Sequence, residues 1–274
     1  MITQPDRDVH NLLNRLFAIG QSLQTAVGAQ ALLGLGSAGA ETARMDAYSD
    51  LDFFVIVAPG YKAAFLDDLA WLSRIEPIAY AFANTADGYK LLFADGIFCE
   101  FAIMEPAELA QAVFAAEKII WQSAEFDATL LHPRQATPRQ IDVDWLVGEA
   151  ITNLYVGLGR YHRGEKLSAM RFVQGYALDR VLELAALVEP EQPYFADVFG
   201  QDRRFEQRFP HTAVQLPQCA RGYENSIPSA LAILHFLDTH FVVNPAMKAE
   251  ILRLCQLEVA TAVQPIGRHD DEQF

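Results

Sequence analysis

The 274-residue chain is short of cysteine and of positive charge, and each shortage excludes something. Its three cysteines, Cys99, Cys219 and Cys255, lie far apart and form no CxxC pair. That argues against a disulfide framework or a structural zinc site and fits a reducing compartment. Lysine and arginine total 21 against 35 aspartate and glutamate, a net charge of −14. Both halves are acidic, with 17 acidic against 9 basic residues up to Gln140 and 18 against 12 beyond it. So negative a surface repels phosphate backbones, and no nucleic-acid partner is expected. A small anionic ligand held by local donors and metal ions stays open. The chain also lacks a P-loop, a GxSxG and an HExxH. The late apolar run IPSALAILHFLDTHFVV is interrupted by His235, Asp238 and His240, so it reads as a core helix and not as a membrane span. The opening MITQPDRDVH lacks the basic-then-apolar pattern of a signal peptide. A soluble, cytoplasmic protein with no membrane partner is the expectation.

Half of the residues (51%) are apolar, enough for one large domain or two ordinary ones. The spacing of Val9, Leu12, Leu16, Ile19 and Leu23 predicts a helix over 8–27. Short apolar runs at 31–35 and 50–58 read as strands, and 62–74 as a helix. Three further strands, 78–83, 89–93 and 97–104, are separated by Asp87-Gly88 and Asp95-Gly96, the pattern of antiparallel hairpins. Glu105-Pro106 opens another helix. The proline-bearing segment 131–142 is the best linker candidate. Beyond it the pattern is helical at 143–162, 165–188, 228–241 and 246–262, with Gly164 as a helix stop. The expectation is an α+β chain: a small mixed sheet with flanking helices over 1–137, then an all-helical domain over 138–274.

The stretch GLGSAGAETARMDAYSDLDFFVIV carries the chemistry. Alternation along a strand puts Asp50 and Asp52 on one face and Leu51 and Phe53 on the other. Two carboxylates that close repel unless a cation sits between them, and Mg²⁺ prefers a few carboxylates plus substrate phosphates. Taken alone, the pair is better read as a solvated turn that caps the loop before the strand. Gly36-Ser37, after the preceding strand, adds a tight turn whose amides and hydroxyl can donate to phosphate oxygens. Glu100, in IFCEFAIM, stands alone among apolar neighbours on the face of Phe98 and Ala102. It reads as an acid set into a buried strand, and a third metal-facing carboxylate is the simplest account of its cost. A half-exposed position or an arginine partner are the other accounts. Arg160 and Arg163, sharing a helix face, could reach a triphosphate or simply complement the helix dipole.

Gly-Ser, a spacer, Asp-x-Asp on a strand and a lone acid on a later strand together resemble the polymerase-β-type nucleotidyltransferases. Within that superfamily, Tyr48-Ser49-Asp50-Leu51-Asp52 and the Gly96–Phe101 strand are similar to the two-domain lincosamide nucleotidyltransferases. The resemblance covers the first half well and the helical half more loosely. It implies that Asp50, Asp52 and Glu100 are catalytic and hold two Mg²⁺ ions. It further implies nucleotide binding by Gly36, Ser37 and Ser49, to which the helix-face reading adds Arg160 and Arg163. The implied reaction takes ATP as co-substrate and passes AMP to a hydroxyl of a small antibiotic, a lincosamide first and an aminoglycoside second. A catalytically silent nucleotide sensor is the alternative from another class. A homodimer is plausible for such a chain.

Overall fold

The computed structural model describes residues 8–112, 114, 117–131, 142–196 and 200–257. It divides into two compact units, Met1–Thr137 and Pro138–Phe274. Most of the segment expected to link them, 132–141, lies outside the described residues.

The first unit begins with α1 (Val9–Gln24), capped by Asp8, whose carboxylate accepts from the Asn11 amide at 2.8 Å. Its buried stripe of Leu12, Leu16, Ile19 and Leu23 covers one face of a six-stranded sheet. The strands are β1 (Ala29–Gly34), β2 (Leu51–Val57), β3 (Ile78–Ala83), β4 (Gly88–Phe93), β5 (Phe98–Met104) and β6 (Lys118–Gln122), in the order β3-β4-β5-β2-β1-β6. The central pair β2–β5 is parallel and every other pairing is antiparallel. Leu51, Phe53, Val55, Cys99, Phe101 and Ile103 point into the α1 side and are buried. On the opposite face a smaller cluster of Ala31, Leu33, Ile56, Leu109, Phe114 and Phe126 covers only the β1 end. The β2–β5 stretch ahead of it stays partly open.

The expected helix over 62–74 is two short ones, α2 (Lys62–Asp67) and α3 (Ala70–Ser73). Asp68 takes an extended conformation between them, and its carboxylate caps the Ala70 amide at 2.8 Å. Helical spacing alone did not reveal that break. Strand β6 is an addition that the sequence reading did not foresee. Helix α4 (Pro106–Leu109) starts at the expected proline, with a capping box between Glu105 and Glu108.

The second unit is helical. Helix α5 (Val143–His162) is capped by Asp142 and stops at Gly164, whose φ is +80°. The expected 165–188 helix is a run of α6 (Lys166–Arg171), a π-helical turn (Phe172–Ala177) and α7 (Leu178–Val188). Short helices α8 (Phe205–Arg208), α9 (Pro210–Ala213) and α10 (Leu216–Cys219) lead to α11 (Ser226–His240) and α12 (Pro245–Gln256). The core joins Leu146, Leu154 and Leu158 of α5 to Val173, Val181, Leu184, Ile233 and Leu237. Residues 258–262 of the last expected helix lie outside the described residues. Among the described residues no helix is long and apolar enough to cross a membrane.

Candidate active site

The parallel register of β2 and β5 sets Asp52 opposite Glu100 on adjoining strands. Paired positions share a face, so the two carboxylates stand side by side on the open side of the sheet. Both residues are partly exposed. Asp50 lies one residue before β2 and is also partly exposed. On the other flank of β5, Lys90 pairs with Glu100 in register. Its Nζ lies 3.4 Å from Glu100 Oε2, and both side chains are 43% exposed. Asn84 Nδ2 donates to Glu100 Oε1 at 3.1 Å. Asp52, Glu100 and Lys90 therefore form a row across three neighbouring strands.

This corrects the sequence reading of Glu100 as a buried, partnerless acid. Its strand is half-exposed on that face, and a lysine and an asparagine already touch it. Register on the parallel β2–β5 pair, and not burial, sets Glu100 beside Asp52. Sequence reasoning missed Lys90 and Asn84, although a signal for Lys90 was present. Phe93 N donates to the Ile97 carbonyl across the Asp95-Gly96 turn, and counting back from there sets Lys90 opposite Glu100.

The Gly36-Ser37 turn is tied to the same place. Leu35 N donates to the Asp52 carbonyl at 2.8 Å, so the chain leaves β1 and turns beside the carboxylate strand. Gly36 has a φ of +51°, a left-handed conformation that favours glycine. At Gly34 a side chain would run into the Ala38 carbonyl oxygen, so the turn folds back tightly on its own strand. Ser37 is buried, and among the described residues no hydrogen bond engages its hydroxyl.

The remaining candidate residues are engaged locally. The Ser49 hydroxyl accepts from the Asp46 amide at 3.0 Å and lies 3.2 Å from the Asp46 carboxylate, closing the turn that leads into β2. Arg160 and Arg163, at the end of α5, share the carboxylate of Glu165, each at 3.0 Å. Arg160 also stacks 4.8 Å from the centre of the Phe172 ring. A groove of about 410 Å³ on the helical unit has apolar walls, with charge brought only by Asp202 and Glu206. It offers no cationic donor for a phosphate.

Burial is the main reason that the Cys99 thiol is pushed far up. Arg15 acts against it, while Asp50, Asp52 and Asp95 push the same way. Cys99, fully buried on the closed face, sits as a structural thiol does. For a divalent cation, the row offers the carboxylate oxygens of Asp52 and Glu100, the chemistry that Mg²⁺ selects. Among the described residues no ready-made cluster of three or more His, Cys, Asp or Glu is assembled. The Lys90–Glu100 contact is long and solvent-exposed, the kind of pair that contributes roughly 0–1 kcal/mol and that a cation can displace. The donor set and register fit a hard cation.

No protein-family model matches the chain, and no curated protein matches it. Solved structures similar to it include an aminoglycoside 6-adenyltransferase from Bacillus subtilis, at 13% identity and a TM-score of 0.35, covering 88% of this chain and 95% of that one. A nucleotidyltransferase-like protein from Exiguobacterium sibiricum is similar at 10% identity and a TM-score of 0.34, covering 88% and 78%. A STING-associated CdnE c-di-GMP synthase from Capnocytophaga granulosa is similar at 12% identity and a TM-score of 0.30, covering 90% and 79%.

Proposed function

We propose that this chain is a nucleotidyltransferase that passes a nucleoside monophosphate, AMP from ATP, to a hydroxyl of a small antibiotic. The observation that carries the reading is the convergence of Asp52 and Glu100 on facing strands, with the Gly36-Ser37 turn bonded to the Asp52 backbone. Asp50 and Asp52 would hold the nucleotide-side cation, and Glu100 would complete the acceptor side. Two Mg²⁺ ions bound there would neutralise phosphate charge and lower the pKa of the acceptor hydroxyl. Ser37 and the Gly36 turn hold the terminal phosphates as pyrophosphate leaves. Glu100, contacted by Lys90 and Asn84, is oriented at the site and could also take the acceptor proton.

The proposed acceptor is a lincosamide, from the sequence resemblance in the Tyr48–Asp52 and Gly96–Phe101 stretches. The net charge of −14 favours a second acceptor class, the polycationic aminoglycosides. A pyrophosphate-release screen with Mg²⁺, each nucleoside triphosphate and a panel of both drug classes tests the proposal. Release with ATP and a lincosamide is expected. Release only with an aminoglycoside reassigns the acceptor. No release with any pair overturns the enzymatic reading in favour of a nucleotide sensor.

A further inference from the structure

Arg44 sits where neither composition nor spacing singles it out. It ends the 3-10 turn Thr42–Arg44, in the loop that separates Gly36-Ser37 from the aspartates. Its Nε donates to Glu41 Oε2 at 2.5 Å, and its amide donates to the Glu41 carbonyl at 3.0 Å. The guanidinium then lies over the turn. A Cβ built on Gly36 would come within 2.7 Å of Arg44 Nη2. Glycine at 36 is favoured by its positive φ, and the guanidinium lies close against its backbone. The side chain is 22% exposed, so the charge is largely shielded yet reachable. Among the described residues no hydrogen bond engages either Nη of Arg44.

An arginine has five N–H donors in a rigid fork. Here one carboxylate takes the Nε edge and fixes the plane, leaving the Nη donors unbonded beside the Gly36 backbone. This arrangement suits a phosphate, which a guanidinium grips with paired, charge-assisted bonds. We infer that Arg44 is a nucleotide-binding residue that takes the terminal phosphates of the triphosphate, with Glu41 as the positioning residue that orients it. The inference rests on the nucleotidyltransferase reading and deepens it. Arg44 then adds to the Gly36-Ser37 turn in discriminating a triphosphate from a monophosphate. The competing account is an i,i+3 ion pair that only stiffens the loop, which would touch stability and every nucleotide alike.

The test is calorimetric binding of ATP and of AMP, with Mg²⁺, to the full chain and to Arg44→Ala and Arg44→Gln. The glutamine keeps a donor for Glu41 and hence the loop, so it decides the matter if the alanine variant fails to fold. Wild type is expected to prefer ATP. Both variants should lose roughly tenfold in ATP affinity, the scale of one charged hydrogen bond, while AMP binding stays within about twofold. Unchanged ATP binding, or equal losses for ATP and AMP, overturns the role of Arg44 and leaves the enzyme reading standing. A wild-type chain that binds no nucleoside triphosphate overturns both.

Discussion

The two faces of the β2–β5 pair are made of alternate residues of the same strands, yet different forces hold them. On the closed face Phe53 stacks on Phe101, with ring centres 5.1 Å apart and planes 3° off parallel. Phe101 meets Trp71 edge-on at 5.5 Å and Tyr89 at 5.9 Å. Burying each such ring stabilises the fold by about 1.5–3 kcal/mol. On the open face Asp52, Glu100 and Lys90 are partly exposed, and the described contacts of Glu100 are 3.1 and 3.4 Å long. An exposed pair of that kind contributes about 1 kcal/mol at most. The closed face fixes strand position and register, and the open face is carried along by it. The proposed site therefore lies on the face whose described contacts contribute less to stability.

The largest effect that would break this contrast is on the closed face. Phe53→Ala should cost about 3–5 kcal/mol of stability, seen as a lower midpoint in urea unfolding. Asp52→Asn should leave that midpoint almost unmoved while nucleotidyl transfer falls by roughly 100-fold or more. If Asp52→Asn unfolds the chain as Phe53→Ala does, the two faces are not separable. A smaller effect sharpens the comparison. Lys90→Met should cost less than about 1 kcal/mol and lower the Mg²⁺ concentration for half-maximal turnover by up to about fivefold, because the competing ammonium is gone. A higher Mg²⁺ requirement in that variant would make Lys90 a helper of the site instead of a competitor.

Much of this was legible in the sequence where local pattern decides structure. Alternation placed Asp52 opposite in sense to Phe53, and the turns at Asp87-Gly88 and Asp95-Gly96 marked the hairpins that the structure contains. The 143–162 helix was readable from its apolar spacing and Gly164. What was not legible depends on pairing between distant segments. The environment of Glu100 follows from its strand neighbours, so its exposure and its lysine partner were misjudged. Strand β6, KIIWQ, has no alternation to betray it, and it pairs with β1 from almost 90 residues away in sequence. The break at Asp68 and the π-helical turn at 172–177 interrupt apolar spacing that reads as continuous. Arg44 is invisible for the same reason: only the folded loop brings it over Gly36.

The account stands on Asp52 and Glu100 acting together on divalent cations, and Mn²⁺ binding monitored by electron paramagnetic resonance, with a non-hydrolysable ATP analogue present, measures that directly. Two ions per wild-type chain and one per Glu100→Gln chain is the predicted outcome. The same number of ions in both would contradict it.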